Sequence, residues 1–135
     1  VGLQATTQSH AALHNAGVTA AESDQWSDAE ELFGLAILKQ PKSAESWVAR
    51  GIARERLGKR PLAIQDFNYA SQLYTNNGAN EAAEQLTIAA LSLQDIPNNQ
   101  PSGNGAGSAV LNGLLSTSQA LLPMAMKLFL PALGL

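Results

Sequence analysis

The sequence predicts an all-α fold: short helices joined by tight turns, then a flexible linker and a hydrophobic C-terminal helix. Three observations carry that prediction. Apolar residues recur at helical spacing, with no alternating strand pattern to compete. Helix start and stop signals follow one another quickly. The chain also aligns with itself at an offset of about 34 residues, the signature of a stacked helical repeat.

The elements follow in order. Leu13, Ala16, Gly17 and Ala20 set a first helix, and the acidic run Glu22–Asp24 marks its turn. Ser27-Asp28-Ala29-Glu30 reads as a capping box, with the serine oxygen accepting the N3 amide and Glu30 reaching back. Leu32, Phe33, Ala36 and Ile37 then share one face, and Pro41 stops that helix. Ser43 is placed to cap a third helix carrying Trp47, Gly51 and Leu57. Gly58 suits a C′ position, where a positive φ is wanted. Pro61 suits the first position of a fourth helix, where its missing N–H costs nothing. Ile64, Phe67, Ala70 and Leu73 line that helix, Asn76-Asn77-Gly78 breaks it, and a last helix runs from Ala79 to Leu93.

Composition divides the chain into residues 1–95, a helical domain; 96–107, a linker rich in Gly, Asn and Pro; and 108–135, an apolar segment. The net charge of −3 argues against nucleic acid as a partner. The absence of cysteine excludes disulfides and cysteine-based zinc sites, and leaves the redox compartment open. Val1 in place of Met fits a processed form, a trimmed form or part of something longer.

In the self-alignment Gly17 meets Gly51, Ala20 meets Arg54, Ala29 meets Ala63, Phe33 meets Phe67 and Ala36 meets Ala70. Small residues on both helices of a hairpin let the backbones approach. Trp47, Phe33 and Phe67 are expected to fill the space between one hairpin and the next, with Leu13 in the slot equivalent to Trp47. A single hairpin cannot bury its apolar face alone, so hairpins stack and need caps.

These residues resemble the tetratricopeptide repeat family over about two thirds of the chain. His10–Ser43 and Ala44–Asn77 resemble two consecutive repeats, and Ala79–Leu93 a capping helix. Ala49-Arg50-Gly51 is similar to a variant found in bacterial repeats, including those of photosynthetic lineages. Arg50, Arg54 and Thr75 depart from the general pattern. The resemblance implies a concave groove lined by the first helix of each repeat. Carried over by position, the groove residues are Ala11, His14, Val18, Ala21, Glu45, Val48, Ile52, Glu55, Arg56, Ala79, Ala82 and Leu86. It implies a partner protein as the ligand. The positions of the family's carboxylate clamp hold His14, Val18, Ala49, Ala79 and Ala83, so a chaperone tail is not the expected ligand.

The basic run Arg50, Arg54, Arg56, Lys59, Arg60 is read as pairing with Glu22, Asp24, Asp28, Glu30 and Glu31 of the neighbouring repeat, rather than as an anion site. The C-terminal segment carries one charge, Lys127. About twenty residues before it are uncharged, long enough to span a bilayer. Asn112, Ser116, Gln119, Pro123 and Lys127, spaced four, three, four and four, form a narrow polar stripe on a helix. Three readings stay open: a membrane-inserted helix, an interfacial helix, and a helix packed in a protein groove. The anchoring residues are Leu111, Leu114, Leu115, Leu121, Leu122, Met126, Leu128 and Phe129.

His10 and His14 are spaced to face one metal ion, but no third ligand stands nearby. No metal and no cofactor are expected. No nucleophile motif or phosphate loop is present, and Gly103–Gly107 follows no strand, so it reads as a tether. The expected function is a non-catalytic adaptor or linker. Its helical domain binds a partner within a larger complex. Its C-terminal helix anchors to a membrane or membrane complex, plastid (thylakoid) or bacterial inner membrane. The alternative is a soluble peptide-binding co-chaperone or assembly factor whose tail packs in a groove.

Overall fold

A computed structural model describes residues 8–94. They form five helices and, among the described residues, no strand: α1 His10–Glu22, α2 Trp26–Lys39, α3 Ala44–Arg56, α4 Arg60–Asn76 and α5 Asn80–Gln94. Each helix packs chiefly on its neighbour in sequence, and α1 also touches α3. The chain is therefore a helical-repeat-like stack of two hairpins, α1–α2 and α3–α4, closed by α5. The linker and C-terminal helix expected from the sequence lie outside the described residues.

The turn inside each hairpin is built the same way. After α1, Gln25 N–H donates to Ala20 O at 2.8 Å, and after α3, Lys59 N–H donates to Arg54 O at 2.8 Å. Asp24 and Gly58 donate to Ala21 O and Glu55 O, each at 3.0 Å. Both residues adopt left-handed backbone, with φ of 60° and 83°. Gly58 has no Cβ to oppose this conformation; Asp24 is one of the few side chains that tolerates it. The α4–α5 turn repeats the motif at Gly78, where φ is 81°.

The glycine–phenylalanine pairs explain the opening periodicity. A Cβ on Gly17 would lie 2.6 Å from the Phe33 ring, and one on Gly51 would lie 2.7 Å from the Phe67 ring. Each ring therefore seats on the bare backbone of its own hairpin. This revises the expectation that Phe33 and Phe67 fill the space between hairpins. Both rings are fully buried, as are Ala29, Ala36, Ala63 and Ala70. Burying one such ring contributes about 1.5–3 kcal/mol.

Three local expectations change. Ser27 does not cap α2, because the helix already begins at Trp26, with Gln25 at the cap and no side-chain bond there. Glu30 does not reach back to a cap; it is drawn into ion pairs with α3 and its turn. Ser43 sits at the cap of α3 but makes no side-chain cap bond. The side-chain cap found is Ser9, whose Oγ accepts from Ala12 N–H at 3.1 Å. α5 is fastened to α4 by hydroxyls: Ser71 Oγ donates to Ala83 O at 2.8 Å and lies 2.9 Å from Thr87 Oγ1.

Candidate functional site

α1, α3 and α5 are the first helices of the successive units. α1 and α3 are tied side by side by a shared hydroxyl. Ser46, fully buried on α3, has its Oγ 3.0 Å from His10 Nε2 and 3.0 Å from His14 Nδ1. A serine hydroxyl can donate to one ring nitrogen while accepting from an N–H on the other. The His14 ring also packs on Phe33, with centroids 5.2 Å apart. The two histidines thus do face a common point, as their spacing foretold, and that point is a serine oxygen. Among the described residues no group of three metal-ligating side chains forms.

The residues expected along the groove lie on α1, α3 and α5, except Ala79, which just precedes α5. Val18, Ala21, Val48, Ile52, Ala82 and Leu86 belong to one buried apolar cluster that runs through all three helices. Glu55 is buried with them. His14, Arg56 and Ala79 are half-buried, and Ala11 and Glu45 are exposed. Burial pushes the phenol of Tyr74 well above its ordinary range, and the negative charge of Glu45 adds to the effect. The anchoring leucines, Met126 and Phe129 lie outside the described residues, and among those described no helix is long and apolar enough to cross a membrane.

Three members of the basic run, Arg50, Arg54 and Lys59, are held in ion pairs within the second hairpin and across to the first. Asp66, whose side chain is 2 % exposed, receives a fork from Arg50: Nε donates to Oδ2 at 3.0 Å and Nη2 to Oδ1 at 2.9 Å. Arg54 Nη1 donates to the same carboxylate at 3.0 Å and its Nε to Glu30 Oε2 at 2.9 Å. Lys59 Nζ closes on Glu30 Oε1 at 2.8 Å. Partial burial alone would raise the Glu30 pKa, but its bonds to Lys59 and Arg54 win and hold it below the usual range. Pairing with the neighbouring hairpin was legible for Glu30; the larger share taken by Asp66 was not.

Trp47, expected to fill the space between hairpins, packs on Tyr69 of its own hairpin, a pairing that sequence reasoning did not single out. Trp47 and Tyr69 stack with centroids 4.2 Å apart, and the Arg50 guanidinium sits 5.0 Å from the Trp47 ring. Trp47 Nε1 donates to Pro41 O at 2.7 Å, which fixes the α2–α3 turn to the second hairpin. Arg56 covers Trp26 at 5.6 Å, a second link between hairpins. At the other end of the stack a cleft of about 400 Å³ opens between α1 and α2, lined by Leu13, Ala16, Ala20, Leu32 and Leu35 among others.

The geometry defines a class, a short all-α stack of helical hairpins. Comparison of the chain with family models, curated proteins and solved structures gave no match.

Proposed function

We propose that the chain is a non-catalytic adaptor of the tetratricopeptide-repeat kind. Its inner face holds an apolar helix or extended segment of a partner protein, and residues 108–135 tie it to a membrane or a membrane complex. One observation carries the reading: three successive inner helices contribute Val18, Ala21, Val48, Ile52, Ala82 and Leu86 to a single apolar cluster. Glu45, His14 and Arg56 edge it with mixed charge and partial exposure. An apolar strip with a polar rim is the chemistry that takes up one face of an amphipathic segment. The repeat assignment is supported by the hairpin turns and glycine–phenylalanine seats that recur 34 positions apart, Gly17 to Gly51 and Phe33 to Phe67. The membrane is supported by the uncharged length of the tail, and a thylakoid or bacterial inner membrane by the repeat variant around Arg50.

Two experiments test it. Liposome flotation of the full chain, beside a chain truncated after Asn98, is expected to recover only the full chain after a carbonate wash. Flotation of neither removes the membrane from the reading. A photo-crosslinker at Glu45, on the rim, is expected to capture the partner. One at Leu38, which is 76 % exposed on α2, is not. Capture at Leu38 alone would place binding on the outer layer and overturn the groove.

A further inference from the structure

The second hairpin shows what one face of this repeat unit is built to do. Its Trp47 Nε1 donates to Pro41 O, its Arg54 and Lys59 hold Glu30, and its Arg50 guanidinium lies beside Gly34. Every one of those contacts reaches α2 or the turn that follows it. Asp66 stands behind Arg50 and Arg54 and braces them, and Tyr69 stacks on Trp47. These six side chains make a face that receives one helix.

The same six slots, 34 positions earlier, hold Leu13, Ala16, Ala20, Gln25, Leu32 and Leu35. All six line the cleft of about 400 Å³ on the first hairpin. The correspondence is structural as well as sequential, because the glycine–phenylalanine seats and the turn bonds recur at that interval. Among the described helices, none lies across the cleft. The first hairpin therefore carries a helix-receiving face with no described helix on it.

The substitutions decide what fits. A tryptophan, a tyrosine and two arginines give way to leucines and alanines, so a visiting helix must bring the bulk that this face lacks. α2 meets the second hairpin through Glu30 and Gly34, four residues apart. A visitor to the first hairpin needs large apolar side chains at that spacing, since a carboxylate buried there meets no cation. No basic side chain is among the described residues of the cleft, and the exposed carboxylates of Asp28 and Glu31 stand on its rim. Neither forms an ion pair among the described residues. Their counterparts on the second hairpin, Leu62 and Gln65, are uncharged, so the acidic rim belongs to the first alone.

We propose that this cleft is a second docking surface, apart from the groove, and that it takes a basic amphipathic helix of a partner protein. The helix carries large apolar residues four apart on one face and lysine or arginine on the flanks. Opposite charge at the rim sets its register and rejects acidic helices. A second copy of this chain does not answer that description. On α5 the exposed Ile88 and Leu91 share a face with Glu84, which would set carboxylate against carboxylate.

Titrating a helical peptide into the isotope-labelled full chain tests this. The probe has the 14-residue length of α2, with leucines four apart on one face and lysines on its flanks. Backbone amide shifts are expected at Ala16, Ala20, Leu32 and Leu35, and not at Val48 or Ile52. D28N with E31Q, two exposed positions, should keep the fold and weaken binding about two- to tenfold at low salt, as for the loss of two exposed ion pairs. A16R, A20R and L32D together rebuild the second hairpin's charged triad in the first and should close the cleft to the probe. Shifts confined to Val48, Ile52 and their neighbours would place the peptide in the groove, which overturns the cleft and leaves the adaptor reading standing. No shift anywhere overturns the cleft as well. Equal binding by a probe with glutamates for lysines, or an affinity indifferent to D28N and E31Q, overturns the basic partner. Tighter binding at the cleft by a peptide of residues 80–94 gives it to a second copy instead.

Discussion

In the first hairpin, the positions that look toward the end of the stack are Ala16, Ala20 and Leu32. The same positions in the second hairpin are Arg50, Arg54 and Asp66, which pair with one another, and Arg54 also reaches Glu30 on α2. The two hairpins share their turn geometry and their glycine–phenylalanine seats. They differ where one unit meets what precedes it. The framework is thus carried by a few small and large residues repeated in register, and the interfaces by residues free to vary. Charge appears where a neighbouring carboxylate answers it. Where no charged hairpin answers, the same slots turn apolar and border a cleft.

The seats give the sharpest way to break this comparison. Phe67→Ala and Phe33→Ala should each cost about 3–5 kcal/mol. Phe67→Ala should cost more, because the second hairpin supports both α2 and α5 and a stack fails through its middle unit. Equal losses in chemical denaturation would show that the hairpins fold as independent units. Asp66→Asn comes next, at about 3 kcal/mol, because two guanidiniums lose the buried carboxylate that neutralises them. Leu32→Asn, the same position in the first hairpin, should cost less, since it faces a cleft and leaves no charge unanswered.

Gly51→Ala and Gly17→Ala force a methyl group into a ring and should each cost about 1–3 kcal/mol. Gly34→Ala is the control. Its nearest neighbour would be Arg50 at 3.7 Å, an ordinary contact. It should stabilise by about 0.5–1 kcal/mol through helix propensity alone. A loss at Gly34 would mean that α2 and α3 pack more closely than the ring seats do.

Asp24→Gly tests the turns. Relieving a left-handed aspartate should gain about 1 kcal/mol, whereas Gly58→Ala should lose a similar amount at the equivalent position.

The smallest effect is the acid dependence of Glu30. Its folded pKa lies below the unfolded value of 4.5. The ion pairs therefore contribute fully above pH 4.5, and their contribution is lost as pH falls through the lower folded value. Glu30→Gln should flatten that part of the acid-unfolding curve; an unchanged curve would assign it to other carboxylates.

Much of the framework was legible because it depends on local chemistry. Gly58 and Gly78 ended helices where a positive φ was needed. Pro41 ended α2 at Lys39, and the absence of proline at Thr75 let α4 run on to Asn76. What misled was local chemistry with a distant competitor. Ser27 and Glu30 made a good capping box in isolation, but two cations on the next hairpin held Glu30 more strongly than a cap amide could. Asp24 gave no sign of its backbone, since aspartate is at home in many turns. The positions assigned to a groove lie on α1, α3 and α5, with Ala79 just before α5, because register along a helix is readable. Their burial was not, because it depends on which helices pack against a face, and residue spacing does not encode that.

Each helix packs chiefly on its sequence neighbour. Most of the native structure can therefore form between segments already close along the chain, with little loop entropy to overcome. Such topologies assemble in microseconds to milliseconds. A ribosome releases residues at about 5–20 per second. By that measure the first hairpin is complete while the second is still being made. Each new helix then meets a sequence neighbour that has already been made.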